Sequence, residues 1–141
     1  MFFLKDLPTR TMISGYARTL DVVDVQKTND ALHMLRQASL LIRRLERYFA
    51  THGLSQTQFL VLMILHRDKS KDSQLATEIR EKMDISKPVL STTLKTMRQR
   101  GLIHYSGKST DSRAKPLQIS DVGRELLLKL LHGYFEILQS G

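Results

Sequence analysis

The sequence predicts a mainly helical domain with one small β-hairpin. Apolar residues recur at helical spacing over most of the 141 residues, and glycines and capping residues divide this pattern into segments. Two short runs, "LIHYS" and "KPLQI", are the strand candidates. A chain of this length with 41% hydrophobic residues can bury one core but is short for two. We therefore expect a single folding unit.

Two helices are predicted before residue 54. Apolar residues recur at helical spacing from Thr11 to about Asp24, which indicates a short amphipathic helix. A longer apolar stripe follows and ends near Gly53, since glycine is the residue type that most often terminates a helix. The N-cap candidates for this long helix are Thr28, Asn29 and Asp30.

Two shorter helices come next. Ser55 and Gln58 form the S-x-x-Q pattern of a capping box and open a helix whose centre is almost wholly apolar. Ser73 is the predicted N-cap of the helix in "QLATEIREKM". We expect Asp84 to end that helix in the left-handed conformation, because aspartate tolerates this backbone region better than most residues.

The turn "DIS" leads into a fourth helix from Ser86 to Arg100, and the hairpin follows. Ser120 then caps a final helix that runs to about Leu138. This order of elements predicts a winged helix-turn-helix flanked by further helices. The predicted organisation is an N-terminal extension at 1–27, a first long helix at 28–54, a winged helix-turn-helix lobe at 55–119 and a C-terminal helix at 120–141.

Positive charge is concentrated in one part of the chain. Lys and Arg total 22 against 14 Asp and Glu, a formal net charge of +8. Between residues 86 and 118 there are seven basic residues and one acidic residue, so +6 of this charge lies within 33 residues. The sign favours nucleic acid, an anionic membrane surface or an acidic protein as partner. Charge that serves solubility alone would be spread more evenly.

The predicted fourth helix has one apolar and one polar face. Leu90, Leu94 and Met97 share the face that we expect to meet the core. Small hydroxyl side chains on the other face lower helix propensity, but they allow close approach to base edges in a DNA major groove. Pro88 suits the first turn, whose free N–H groups can meet a phosphate. The candidate DNA-binding residues of this helix are Ser86, Lys87, Pro88, Ser91, Thr92, Lys95, Thr96, Arg98 and Gln99.

Two stretches, "ISKPVLSTTLKTMRQRGLI" and "DSRAKPLQISDVGREL", resemble the helix-turn-helix and wing of MarR-type transcriptional regulators. The resemblance covers roughly residues 30 to 138, and its most specific part is the pattern D-x-R-A followed by L-x-I-S-x-x-G. It implies that Arg113 enters the DNA minor groove while Asp111 holds the wing in position. Lys108 and Lys115 would then face the flanking phosphates. Thr92 stands where many members carry an arginine, which leaves the target sequence open.

The last helix has more apolar positions than one stripe can bury, so we expect it to pack against a second copy of the chain. The resemblance likewise implies a homodimer formed by the first and last helices, and hence a palindromic operator with half-sites about 34 Å apart. We expect the segment from Thr11 to Asp24 to cap this interface. The family often responds to small anionic aromatic ligands, which implies an effector of that class; regulation without any ligand is the alternative.

Other kinds of site are not expected. The chain has no cysteine, and its five histidines show no metal-ligand spacing, so we expect no metal, no cofactor and no catalytic site. No apolar stretch suits a signal peptide or a membrane span, so we expect a cytoplasmic protein. The prediction is a homodimeric, sequence-specific repressor that binds double-stranded DNA. The alternatives are a winged-helix protein-interaction module and a nucleoid-type binder without sequence preference.

Overall fold

The computed structural model describes residues 2–107 and 115–140. Their elements are, in chain order, α1 (Arg10–Ala17), α2 (Val25–Thr51), α3 (Gln56–Arg67), α4 (Ala76–Glu81), α5 (Lys87–Gln99), β1 (Ile103–Tyr105), β2 (Leu117–Ile119) and α6 (Asp121–Gln139). The two strands pair antiparallel, which confirms the predicted helical fold with a hairpin wing. Over these residues, no helix combines the length and the apolar character that crossing a membrane requires.

The first two helices differ from their predicted bounds. α1 ends at Ala17 because the chain turns there, with the Tyr16 carbonyl accepting from the amides of residues 19 and 20. α2 begins earlier than predicted, because Asp24 caps it by accepting from the Lys27 amide at 2.9 Å. The prediction of an N-cap at 28–30 was therefore wrong. Asp24, in an extended backbone conformation, lies upstream of those residues and accepts a hydrogen bond from the first turn of the helix.

The long helix α2 contacts both α1 and α6. Ile13, 3% exposed, is the buried residue of α1. Where α2 crosses α6, the Tyr48 hydroxyl donates to the Leu130 carbonyl at 2.9 Å, and Gly133 leaves the space that the Tyr48 ring occupies. α2 ends as predicted, with Gly53 at φ 73° after its last turn. These contacts fix α6 beside the helix-turn-helix lobe.

The core lies where α3, α5, α6 and the hairpin meet. Phe59 of α3 is fully buried and stacks on Phe49 of α2, with ring centroids 4.2 Å apart. The predicted apolar face of the fourth helix is confirmed, since Leu90, Leu94 and Met97 are each no more than 3% exposed. The opposite face of α5 must therefore point to solvent.

Two predicted caps are confirmed. Ser55 and Gln58 form the capping box of α3, each side chain accepting from the other's backbone amide at 3.1 Å. Ser120 caps α6 by accepting from the Gly123 amide at 3.0 Å. Gly123 also lies against the carbonyl of Leu102, where any side chain would collide with backbone. The end of α5, the hairpin and the start of α6 are therefore packed together.

The segment before α4 was predicted wrongly. Ser73 does not cap α4, which begins at Ala76 with Leu75 in the N-cap position. A tertiary contact explains the later start of α4: an antiparallel bridge to Leu117 of β2 holds Gln74 in an extended conformation. This bridge adds a one-residue third strand to the hairpin.

The turn between α4 and α5 also differs from its prediction. Asp84 was expected to adopt a left-handed conformation, but the positive φ angles of the described residues belong to Gly53, Gly101 and Gly107. α4 instead ends in turn hydrogen bonds from the amides of Lys82 and Met83 to carbonyls three residues earlier. A left-handed residue is therefore not needed.

Candidate nucleic-acid interface

The N-terminus of α5 opens onto the protein surface. The Ser86 hydroxyl caps it by accepting from the Val89 amide at 3.4 Å, and Pro88 occupies the first turn. Residues 86–89 are all exposed. Because the first turn of a helix carries unpaired N–H groups and positive partial charge, this end can receive an anion such as a phosphate.

Each predicted DNA-binding residue of α5 is accessible. Seven are exposed and two are half-buried: the exposed ones are Ser86, Lys87, Pro88, Ser91, Thr92, Lys95 and Gln99, and the half-buried ones are Thr96 and Arg98. α5 carries no acidic residue. The surface formed by these nine residues, called the recognition face below, is polar and positively charged along its whole length.

The base of the wing lies beside the end of α5. In its register, Ile103 pairs with Ile119 and Tyr105 pairs with Leu117. Lys115, the predicted phosphate contact at the start of the second strand, is half-buried. The remaining predicted wing residues, Lys108, Asp111 and Arg113, lie outside the described residues.

Tyr105 was not among the DNA-binding residues predicted from the sequence. Its side chain, 43% exposed, lies under two of the predicted DNA-binding cations. The guanidinium carbon of Arg98 is 4.7 Å from the ring centroid, and the Lys115 ammonium nitrogen is 5.5 Å from it. The sequence signal that could have identified Tyr105 is an aromatic residue at the end of a predicted strand within a basic segment. Which cations contact its ring depends on how the two strands pair, so the sequence pattern does not identify them.

Val89 was missed as well. It is 48% exposed in the first turn of α5, next to Pro88, and it lies outside the buried stripe of the helix. An apolar side chain at this position can contact a thymine methyl group in a major groove. The signal was present in the sequence as an apolar residue that breaks the i, i+4, i+7 spacing.

Two potential cations of the lobe serve other purposes. Arg100 donates to the carbonyl of Gly53 at 2.8 Å and to Gln58 at 3.3 Å, so it ties the end of α5 to the start of α3. Burial lowers the pKa of His66, and repulsion from Lys69 lowers it further, which favours the neutral imidazole. Neither residue is therefore assigned to the recognition face.

A crevice of about 380 Å³ separates the lobe from α6. One side is α3, another is the turn after α4, and Tyr134 of α6 closes it. Arg67 and Lys82 contribute two cationic groups against the one carboxylate of Asp84, and Leu60 and Met63 contribute apolar surface. This combination suits a small, partly apolar anion.

Comparison with known proteins relates this geometry to a family. The model of the MarR family matches residues 52–114, from the end of α2 into the wing. The HTH-type transcriptional repressor YetL of Bacillus subtilis is 26% identical over 133 residues, which cover 94% of this chain and 78% of YetL. Both comparisons confirm the predicted resemblance of this chain to MarR-type transcriptional regulators.

Solved structures show the same fold. The Staphylococcus aureus MepR–DNA complex has a TM-score of 0.64 at 17% identity, covering 77% of this chain and 79% of MepR. S. aureus MarR in complex with salicylate and kanamycin has a TM-score of 0.64 at 22% identity, covering 82% of this chain and 73% of that protein. The predicted winged-helix architecture of this chain is therefore confirmed. The individual DNA-binding residues stay predictions.

Proposed function

We propose that this protein is a homodimeric repressor of the MarR type that recognises a palindromic sequence in double-stranded DNA. The observation that carries the proposal is the recognition face, a surface without acidic residues on a helix whose other face is buried in the core. The MepR complex with DNA and the description of YetL as a repressor support it. The proposal assigns the protein no enzymatic activity.

The recognition face combines two kinds of contact. Lys87 and the free amides of the first turn suit phosphates, and these contacts position a protein on DNA without reading its sequence. Ser91 and Thr92 lie about one turn further along the exposed surface and Lys95 about two turns further, where they can reach base edges in the major groove. Because Ser91 and Thr92 are short, α5 can approach the bases closely.

The dimer is proposed from apolar side chains that a single copy leaves exposed. On α2, Met34 is 70% exposed and Leu35 45%, although Leu35 belongs to the apolar stripe of that helix. On α6, Leu128 is 52% exposed and Phe135 47%. A second copy would cover these surfaces, and its two-fold symmetry would place the two recognition faces about one DNA turn apart.

The test of this function is selection of bound sequences from a random pool of duplexes at near-physiological salt, together with sedimentation of the free protein. We expect a recovered palindrome with half-sites about 10 base pairs apart and a dimer in solution. Binding without enrichment would instead support a nucleoid-type binder. Absence of duplex binding would support the protein-interaction module. Affinity for the selected site should fall steeply with rising salt, because phosphate contacts release counterions.

The proposal includes a small anionic aromatic effector in the crevice between α3 and Tyr134. Arg67 and Lys82 can pair with a carboxylate there, and S. aureus MarR has been solved with salicylate. Salicylate should then raise the melting temperature and weaken binding to the selected duplex. Arg67→Ala should abolish both effects, while Lys69→Ala, a cation outside the crevice, should retain them. A duplex affinity unaffected by salicylate would favour regulation by another ligand or without one.

A further inference from the structure

We infer that Tyr105 is a positioning residue that holds Arg98 of α5 and Lys115 of the wing ready for one stretch of DNA phosphate backbone. The inference rests on the proposed function and adds a residue to it. Its starting point is that one aromatic ring contacts two cations that are 17 residues apart in the chain.

Both cations lie within the range of a cation–π interaction. The distances from the ring centroid are 4.7 Å to the Arg98 guanidinium carbon and 5.5 Å to the Lys115 ammonium nitrogen, and such interactions extend to about 6 Å. Arg98 lies in the last turn of α5, and Lys115 lies two residues before β2. Tyr105 therefore connects the recognition face to the wing through side chains alone.

The backbone of Tyr105 is fixed by strand pairing, while its ring is exposed to solvent. The residue ends β1 and pairs with Leu117, which is 1% exposed and bonded on its other side to Gln74. Directly after it, the Ser106 amide donates to the Pro116 carbonyl at 2.9 Å. An aromatic side chain on such a base has few conformations, so its face is a defined platform for a cation.

The Tyr105 ring affects the conformations of the two cationic side chains in the free protein, before DNA binds. Two like charges held near each other repel, and long basic side chains sample many rotamers. The negative face of the ring attracts both cations and so restricts their conformations in the free protein. Binding then requires less ordering of the two side chains, which favours association with phosphate. Because one cation belongs to α5 and the other to the wing, the ring also sets their spacing.

The first test needs no DNA. In the NMR spectrum of the free protein, the side-chain protons of Arg98 should be shifted upfield by the Tyr105 ring. Tyr105→Phe should retain the shift, and Tyr105→Leu should abolish it. A normal Arg98 chemical shift in the unaltered protein would overturn the inference before any binding experiment is made.

The second test measures affinity for the selected duplex. Tyr105→Leu should weaken binding about two- to five-fold, the loss expected for an exposed cation–π contact, and Tyr105→Phe should recover it. Phe3→Leu, which removes an exposed aromatic side chain outside the recognition face and the wing, should bind like the unaltered protein. In an Arg98→Ala, Lys115→Ala background, Tyr105→Leu should have no further effect.

Four outcomes of the binding test would contradict the inference, and the first of them would also contradict the proposed function. Unaltered protein that binds no duplex overturns the proposed function and the inference together. Duplex binding that Tyr105→Leu leaves unchanged overturns the positioning role alone. Loss of binding in Tyr105→Phe, or a full effect of Tyr105→Leu in the background without both cations, would show that the tyrosine contacts DNA itself.

Discussion

Gln74 and Leu117 exchange two backbone hydrogen bonds across the foot of the wing, with N–O distances of 2.9 and 2.7 Å. The Gln74 side chain, 1% exposed, donates to the Ile64 carbonyl at 2.9 Å and accepts from the Lys82 ammonium. One buried glutamine thus joins β2 to the end of α3 and to the turn after α4. The direction of the wing relative to α5 depends on these contacts.

Replacing Gln74 by leucine should destabilise the protein, although the two side chains have similar volumes. The change leaves the Ile64 carbonyl without its donor in a buried place, which costs about 1–3 kcal/mol. Chemical denaturation measures the effect. Gln118→Leu, at a half-buried position of the same strand region, should change the free energy of unfolding by no more than about 0.5 kcal/mol. Equal stability of the two variants would contradict a bracing role for Gln74.

Gly123→Ala should destabilise the contact between the wing and α6. The new Cβ would overlap the Leu102 carbonyl oxygen, which already accepts from the Ser120 amide at 3.0 Å. Backbone cannot move aside cheaply, so we expect a loss of about 1–3 kcal/mol. Gly15→Ala is the matched control, because no atom lies within 4 Å of its added Cβ and alanine favours a helix. Thermal unfolding should therefore move in opposite directions for the two variants.

Arg113→Ala should weaken DNA binding most at sites with A/T-rich flanks. A narrow minor groove concentrates negative potential, and arginine is the side chain that this potential attracts most. Affinities for two duplexes with the same half-sites but different flanks, one A/T-rich and one G/C-rich, test the expectation. If the variant binds both as the unaltered protein does, the minor-groove role is wrong. The residue lies outside the described part of the chain, so this prediction depends on the family resemblance.

Lys95→Ala should weaken binding to all duplexes about equally if the exposed ammonium meets phosphate. The dependence of log affinity on log salt should then become shallower by about one unit. A changed base preference in the selection experiment would instead make Lys95 a reader of sequence. Lys129→Ala, on α6 and away from the recognition face, should leave both affinity and salt dependence unchanged.

Much of the fold could be predicted because its signals are local. Ser55 and Ser120 cap helices as predicted, since a cap needs only a side chain three residues from a free amide. Leu90, Leu94 and Met97 identified the buried face of α5, and with it the recognition face, because a helix has a fixed period. The exposure of seven of the nine candidate residues, and the partial exposure of Thr96 and Arg98, follow from that period.

The incorrect predictions concern places where several local solutions compete. Asp24 rather than residues 28–30 caps α2, and Ser73 does not cap α4. Before α2 the sequence offers several good capping residues, whereas α4 begins after Leu75, which makes no side-chain cap, because Gln74 is bridged to Leu117. Where each helix begins depends on how the chain packs, and that information is not local.

The amino-acid order alone was sufficient for the helices, the hairpin, the basic recognition face and the family resemblance, because periodicity, capping and charge act between residues close in the chain. Folding brought together Gln74 with Leu117, Arg100 with Gly53, and Tyr105 with Arg98 and Lys115. These contacts join different helices, strands and loops. Their partners are set by strand register and core packing, since a change of register by one residue would turn the Tyr105 ring to the other face of the hairpin.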